Sequence, residues 1–356
     1  MKYGLIIVGI LAVAGIAYGI SGAVDNAATG VGDGENATLV VATSFYPLQY
    51  ALERIIGDNG EVRNIGAGRD PHDFRPSVQD ILALQQADVV VLQGAGFEPW
   101  GDAVKETLEA EGVPVVIATK GLELREGGHG HHDEDEHEGE AHEEGESHDD
   151  EEGNHDEDGH EDEEDHDEHE GEHQDEKDKD EHGHGAYDPH TWLDPVLMSQ
   201  VVDRLVAELV ALDEVNADQY RQNAAALQAD LAEMNERYVE RLSTCTLDEV
   251  ITSHDAFGYV GARYGFEIHT IAGISTQDVP SATTLAELRA EAEEGIGAIL
   301  LEESSVGAYG ETLARETGLQ TLSINPIAFI IPEGEDYLTI MQANLDTFAA
   351  ALQCNV

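Results

Sequence analysis

Four of the 17 histidines in this 356-residue chain stand in ordinary globular sequence: His72, His190, His254 and His269. The others crowd into one run of Asp, Glu, Gly and His, as His129, His131, His132, His137, His142, His148, His155, His160, His166, His169, His173, His182 and His184. Three of the four isolated ones sit in stiff, polar settings. These are Asp70-Pro71-His72-Asp73, Asp188-Pro189-His190-Thr191-Trp192-Leu193-Asp194-Pro195 and Thr252-Ser253-His254-Asp255. Imidazole is the commonest protein ligand of transition metals, and three or four nitrogens suit Zn(II). Pro71 fixes its own φ and keeps Asp70 extended, which would place His72 on a rigid turn. His269 differs: it alternates within Glu267-Ile268-His269-Thr270-Ile271, the pattern of an outward strand side chain. Asp194 could hold an imidazole proton, but as the residue before Pro195 it reads first as a helix cap.

The elements that must position these residues alternate strand and helix. Strands are expected at 39–42, 61–65, 88–92 and 114–118, with helices at 49–56, from Pro76 and at 104–108. The helix from Pro76 would carry Val78, Ile81, Leu82 and Leu84 on one side. Asp194 and Pro195 open a helix with apolar Val201, Val202, Leu205, Val206, Leu209 and Val210, and a longer one follows over 216–242. At 1.5 Å per residue this second helix would span about 40 Å, long enough to join two lobes. The alternation then repeats, with strands at 249–252, 267–271, 298–301 and 321–324 and helices at 284–294, 309–317 and 337–352. A helix also starts near Phe257 and Tyr259. The fold class is therefore α/β: two lobes, each a mostly parallel sheet flanked by helices, joined by one long helix with a cleft between them. Domain bounds follow: 38–213 for the first lobe, 214–244 for the connecting helix and 245–356 for the second lobe. Ligands of such sheets bind beyond the carboxyl ends of strands. His254 follows a strand directly and His72 follows one after a short loop, so both should face the cleft.

The net charge of −58 excludes nucleic acid as a partner, because phosphate would be repelled. The tract 129–184 holds 30 acidic residues against Lys177 and Lys179, so about half of the negative charge lies elsewhere. A general acidic excess of that kind fits adaptation to high salt. The segment 127–185 has too few apolar groups to offset its ordering entropy, and is expected to be a disordered insertion. Its histidines are read as a weak metal-collecting tract acting by direct coordination, with a solvated spacer as the alternative. Residues 1–24 resemble a secretory signal or an N-terminal anchor, and 25–37 a flexible tether. The protein is thus placed outside the cytoplasm, secreted, at the cell surface or held to the membrane by that segment. In an oxidising compartment an even cysteine count invites a Cys245–Cys354 disulfide.

With these stretches in view, the chain resembles the solute-binding proteins of ABC transporters for zinc and manganese, the metal-binding cluster with a rigid inter-lobe helix. The resemblance runs from about Leu39 to Cys354, excluding the tract. It rests on the three histidine stretches, the second of the Asp-Pro-His pair being the longer, together with Gly94-Ala95-Gly96-Phe97-Glu98-Pro99-Trp100 and Asp278-Val279-Pro280-Ser281. It implies that His72, His190 and His254 are ligands. A His at the third position goes with zinc in this family and a Glu with manganese, and a His-rich acidic insertion goes with the zinc branch. The family often places an Asp ligand after the last strand of the second lobe, where this chain has Asn325. A neutral amide is a poorer zinc ligand than a carboxylate, so the fourth position falls to Asn325, Asp70, a tract histidine or water.

The resemblance implies a monomeric protein that carries Zn(II) to a membrane ABC permease and its ATPase subunit. The alternatives are a surface zinc buffer or adhesin without transport, a manganese-specific protein, or a zinc hydrolase. The hydrolase lacks a His-Glu-x-x-His segment and a carboxylate placed as general base. The chain is therefore expected not to be an enzyme.

Overall fold

Two four-stranded sheets, both wholly parallel, carry the molecule. The computed structural model describes residues 38–127, 187–293, 295–302 and 307–355. The signal-like segment, the tether and the His-rich tract lie outside them. In the first sheet β1 (Leu39–Thr43), β2 (Gly60–Asn64), β3 (Val89–Leu92) and β4 (Val115–Ile117) lie in the order β2-β1-β3-β4. In the second, β5 (Glu249–Thr252), β6 (Glu267–Thr270), β7 (Ile299–Leu301) and β8 (Thr321–Ser323) repeat that order as β6-β5-β7-β8. Strand order reverses between β1 and β3, and again between β5 and β7, which opens a crevice at the strand ends in each sheet. The central strand β3, Val89–Leu92, is buried throughout, as expected where helices cover both faces.

The helices are α1 (Tyr46–Ile56), α2 (Val78–Gln85), α3 (Gly101–Ala110), α4 (Pro195–Leu212), α5 (Ala217–Leu242), α6 (Gly258–Tyr264), α7 (Ala282–Glu291), α8 (Gly307–Thr317) and α9 (Tyr337–Ala351). Asp194 caps α4: its Oδ1 accepts from the backbone N–H of Val196 at 2.8 Å and of Leu197 at 3.2 Å. Helix α5 buries Tyr220, Ala224, Leu227, Leu231, Met234, Tyr238 and Leu242, a stripe at three- and four-residue spacing. Its first half is bonded to α1 by Arg54–Asp230 at 2.7 Å and by Asn223 Nδ2 donating to the Ile55 carbonyl at 2.9 Å. Its second half reaches α9, where Tyr238 donates to the Met341 carbonyl at 2.8 Å. The long helix therefore spans both sheets' surroundings as a strut. At its end Cys245 is bonded to Cys354, beyond α9, closing a separation of 109 residues.

Helix α2 departs from its sequence pattern. Val78 and Leu82 are 78% and 49% exposed, and only Leu84 is fully buried. The helix is held by its end instead. Ser77 and Asp80 form a reciprocal capping box, and Arg69 pairs with Asp80 at 3.3 Å. No helix among the described residues is long and apolar enough to cross a membrane.

Candidate metal centre

His72, His190 and His254 come together, each offering a ligand atom within 4.8 Å of the others. Their ring centroids are 5.3 to 5.8 Å apart. Each histidine arrives by a different device. His254 leaves the end of β5, where the Thr252 hydroxyl donates to its carbonyl at 2.9 Å. Its Nδ1 lies 2.8 Å from Oε1 of Glu302, the residue just past β7. The pair thus sits on the two neighbouring strand ends where the order of the second sheet reverses.

His190 lies in the segment leading to α4. Asp188 Oδ1 accepts from the His190 backbone N–H at 2.9 Å and stands 2.9 Å from its Nδ1. From the first sheet, Gln93 Nε2 donates to the Pro189 carbonyl at 2.6 Å and to the Thr191 hydroxyl at 3.0 Å. His72 rides on the turn after β2, its backbone N–H donating to Asp70 Oδ1 at 3.0 Å. Its ring meets Phe97 edge-on at 5.2 Å. Phe97 is presented by Gly94-Ala95-Gly96, all at positive φ. Gly94 has no room for more, because a Cβ there would come within 2.3 Å of Ile117 Cγ2.

The chemistry follows from which nitrogens are spoken for. With a proton on Nδ1 directed at a carboxylate, an imidazole presents a lone pair at Nε2. The Nε2 atoms of His190 and His254 are buried and have no hydrogen-bond partner among the described residues. A buried polar atom left so costs about 1–3 kcal/mol, and a Lewis-acidic cation bound by three imidazoles removes that cost. The three imidazoles could hold such an ion with nitrogen donors. Asn325 is elsewhere engaged: its Nδ2 donates to the Ile330 carbonyl at 2.8 Å and its Oδ1 accepts from the Ile327 N–H at 2.7 Å.

Known proteins similar to this chain bear on such a site. The family described as zinc-uptake complex component A, periplasmic (ZnuA) matches residues 41–351. The chain belongs to that family. The high-affinity zinc uptake system protein ZnuA of Bacillus subtilis strain 168 is 32% identical over 329 residues, covering 91% of this chain and 90% of that protein. The zinc-binding protein AdcA of Streptococcus pyogenes serotype M3 is 31% identical over 315 residues, or 86% of this chain. The match takes in only 55% of AdcA's own length, so the chain spans about half of that relative. Among solved structures, the Zn(II)-bound ZnuA-like domain of Streptococcus pneumoniae AdcA superposes with a TM-score of 0.65 at 26% identity, covering 89% of this chain and 99% of that one.

Burial sets the protonation of these histidines. It holds the pKa of His72 and His190 well below the ordinary imidazole value, and the neighbouring imidazoles add to that. Burial also opposes charge on His254, but the charge and hydrogen bond of Glu302 outweigh it and raise its pKa. Asp188 is pushed up to about 7, chiefly by burial, with the His190 N–H and Arg125 acting against it. Arg125 Nη1 stands 3.6 Å from Asp188 Oδ2, and its guanidinium lies where a Cβ on Gly258 would be. Binding a cation at these nitrogens would require neutral imidazoles, and of the three His254 is the one whose pKa is raised, so its proton would compete longest. Metal affinity is therefore expected to rise with pH through a range above about 6.5. Replacing Glu302 with Gln removes the charge that raises His254 and should move that rise to lower pH. Titrations at stepped pH check this, and an unmoved midpoint would exclude Glu302 as the cause.

Glu302 is the residue that sequence reasoning missed. The signal was an acidic residue directly after a buried strand next to β5, but the pairing of β5 with β7 is set by tertiary structure. Asp188 stood inside a quoted stretch without a role. His269 stays apart from the cluster, between Glu291 at 3.0 Å and Glu249 at 3.2 Å.

Proposed function

We propose that this protein captures Zn(II) outside the cytoplasm and delivers it to the permease and ATPase of an ABC importer. The observation that carries the reading is the pair of buried, unpartnered Nε2 atoms facing a third imidazole. Three imidazole donors favour Zn(II), whereas Mn(II) prefers oxygen. The names of the ZnuA and AdcA relatives supply the transport half. His72, His190 and His254 are the ligands in this reading, and water takes the fourth position. Both ends of the Asn325 amide are used in its own loop, and both Asp70 oxygens already accept hydrogen bonds. The histidines between His129 and His184 act as weaker, shared collecting sites, and the first 24 residues direct export or anchor the protein.

The test is competition of the purified chain, and of the chain lacking 129–184, against a chromophoric chelator with Zn(II) and with Mn(II). Both proteins should show one tight site that prefers zinc by at least tenfold, about 1.4 kcal/mol. The deletion should lose only weaker equivalents. Equal affinity for the two metals would overturn the zinc reading, and loss of the tight site on deletion would make a tract histidine the fourth ligand.

A further inference from the structure

The three ligand segments are not held alike. The His190 segment is bonded from both sides. Gln93 grips it from the first sheet. From the second-sheet side Tyr259 donates to the Asp188 carbonyl at 2.7 Å, and Tyr337 donates to the Trp192 carbonyl. Trp192 Nε1 in turn donates to the Pro326 carbonyl at 2.8 Å. His254 is fixed by its strand and by Glu302. His72 has neither support. No carboxylate bonds its ring among the described residues.

Its turn depends on Asp70. The Asp70 carbonyl accepts from the N–H of Asp73 at 3.2 Å and of Phe74 at 2.9 Å, while Oδ1 accepts from the His72 N–H. The other carboxylate oxygen accepts from the Thr276 hydroxyl at 2.8 Å, 206 residues away on the second-sheet side. Among the described residues this is the one hydrogen bond from 66–77 to that side of the cleft. Thr276 is only 4% exposed. It is presented by a tight turn in which Asp278 Oδ2 accepts from the Ser275 N–H at 3.1 Å and the Ser275 hydroxyl accepts from the Gln277 N–H at 3.1 Å.

We propose that Asp70 and Thr276 are positioning residues that hold His72 on the ion, so that the pair sets how long the ion stays rather than how fast it arrives. The proposal rests on the ligand reading above. His190 and His254 are fixed before the ion comes and receive it first. The His72 turn completes the set when Asp70 meets Thr276. Without that bond the turn is anchored only to its own lobe, and a site left with two imidazoles holds zinc weakly. Affinity differences between related complexes lie mostly in dissociation, as such a device requires.

The experiment is stopped-flow release of Zn(II) from the full chain into excess chelator, with association measured in parallel. Thr276→Val keeps the shape and removes the hydroxyl donor. Release should quicken roughly tenfold, the size of one lost hydrogen bond at about 1.4 kcal/mol. Association should stay within about a factor of three of the parent. Thr276→Ser restores the donor and should restore slow release. Parent-like release from Thr276→Val would overturn the proposal, as would fast release persisting in Thr276→Ser, which would assign the effect to packing. His190→Ala in the same assay separates the two readings. If it loses tight binding while Thr276→Val releases at the parent rate, only the latch is wrong. If it keeps tight binding, the ligand assignment fails.

Discussion

His254→Ala is expected to abolish tight zinc binding while leaving the chain folded. The substitution removes one of three imidazoles and leaves a space of side-chain size beyond the ends of β5 and β7, beside Glu302. Loss of an outer partner of a metal ligand typically costs about 10- to 100-fold in affinity, and loss of the ligand itself should exceed that. There is a second effect, on stability. Glu302 is 6% exposed and its Oε1 bonds His254 Nδ1, so the variant strands a buried carboxylate. Breaking one side of a buried charged pair costs about 3–5 kcal/mol, although water entering the vacated space should soften this. The double variant His254→Ala, Glu302→Gln separates the two effects. It should regain part of the lost melting temperature without regaining zinc affinity. Competition titration and thermal melting of the three proteins decide the matter, and parent-like zinc affinity in His254→Ala would refute the ligand role.

What the sequence shows and what it hides divide along a physical line. Strand β5 ends at Thr252 as expected because Glu249-Val250-Ile251-Thr252 is a short apolar run with a polar stop, and the stop is local. The α4 start is legible for the same reason: a capping Asp followed by Pro at the first helical position is a property of adjacent residues. The two-sheet α/β architecture follows from the repeated alternation of such runs. The stripe on α2 misleads because spacing tells which residues share a face, not whether another element covers it. Val78 and Leu82 share the face and remain exposed. The support of the site is hidden for a related reason. Glu302 meets His254 across 48 residues and Thr276 meets Asp70 across 206, through strand order and lobe placement that no local pattern encodes.

Trp192→Ala should be the most destabilising single change near the site, and it should weaken metal binding without removing a ligand. The indole is 1% exposed and packs against Phe45 at 4.8 Å, Phe97 at 5.0 Å and the His190 ring at 5.1 Å. Its N–H donates to the Pro326 carbonyl and its own carbonyl accepts from Tyr337. One side chain thus fills the core beside the first sheet and bonds a loop that follows β8. Truncating a buried Trp costs about 3–5 kcal/mol. At about 2–4 °C per kcal/mol for a chain of this size, melting should fall by roughly 10 °C. His190 would keep Asp188 at Nδ1 but lose the wall against its ring, so zinc affinity should drop less than in His254→Ala. Trp192→Phe keeps most of the packing and loses only the N–H donor, and should fall between the parent and Trp192→Ala in stability. Zinc at about a hundred times its dissociation constant adds about 2.7 kcal/mol to any variant that still binds. Melting with and without zinc therefore reads both effects at once. A Trp192→Ala protein that melts within about 2 °C of the parent, far less than the cavity estimate, would show that the indole is not the shared support described.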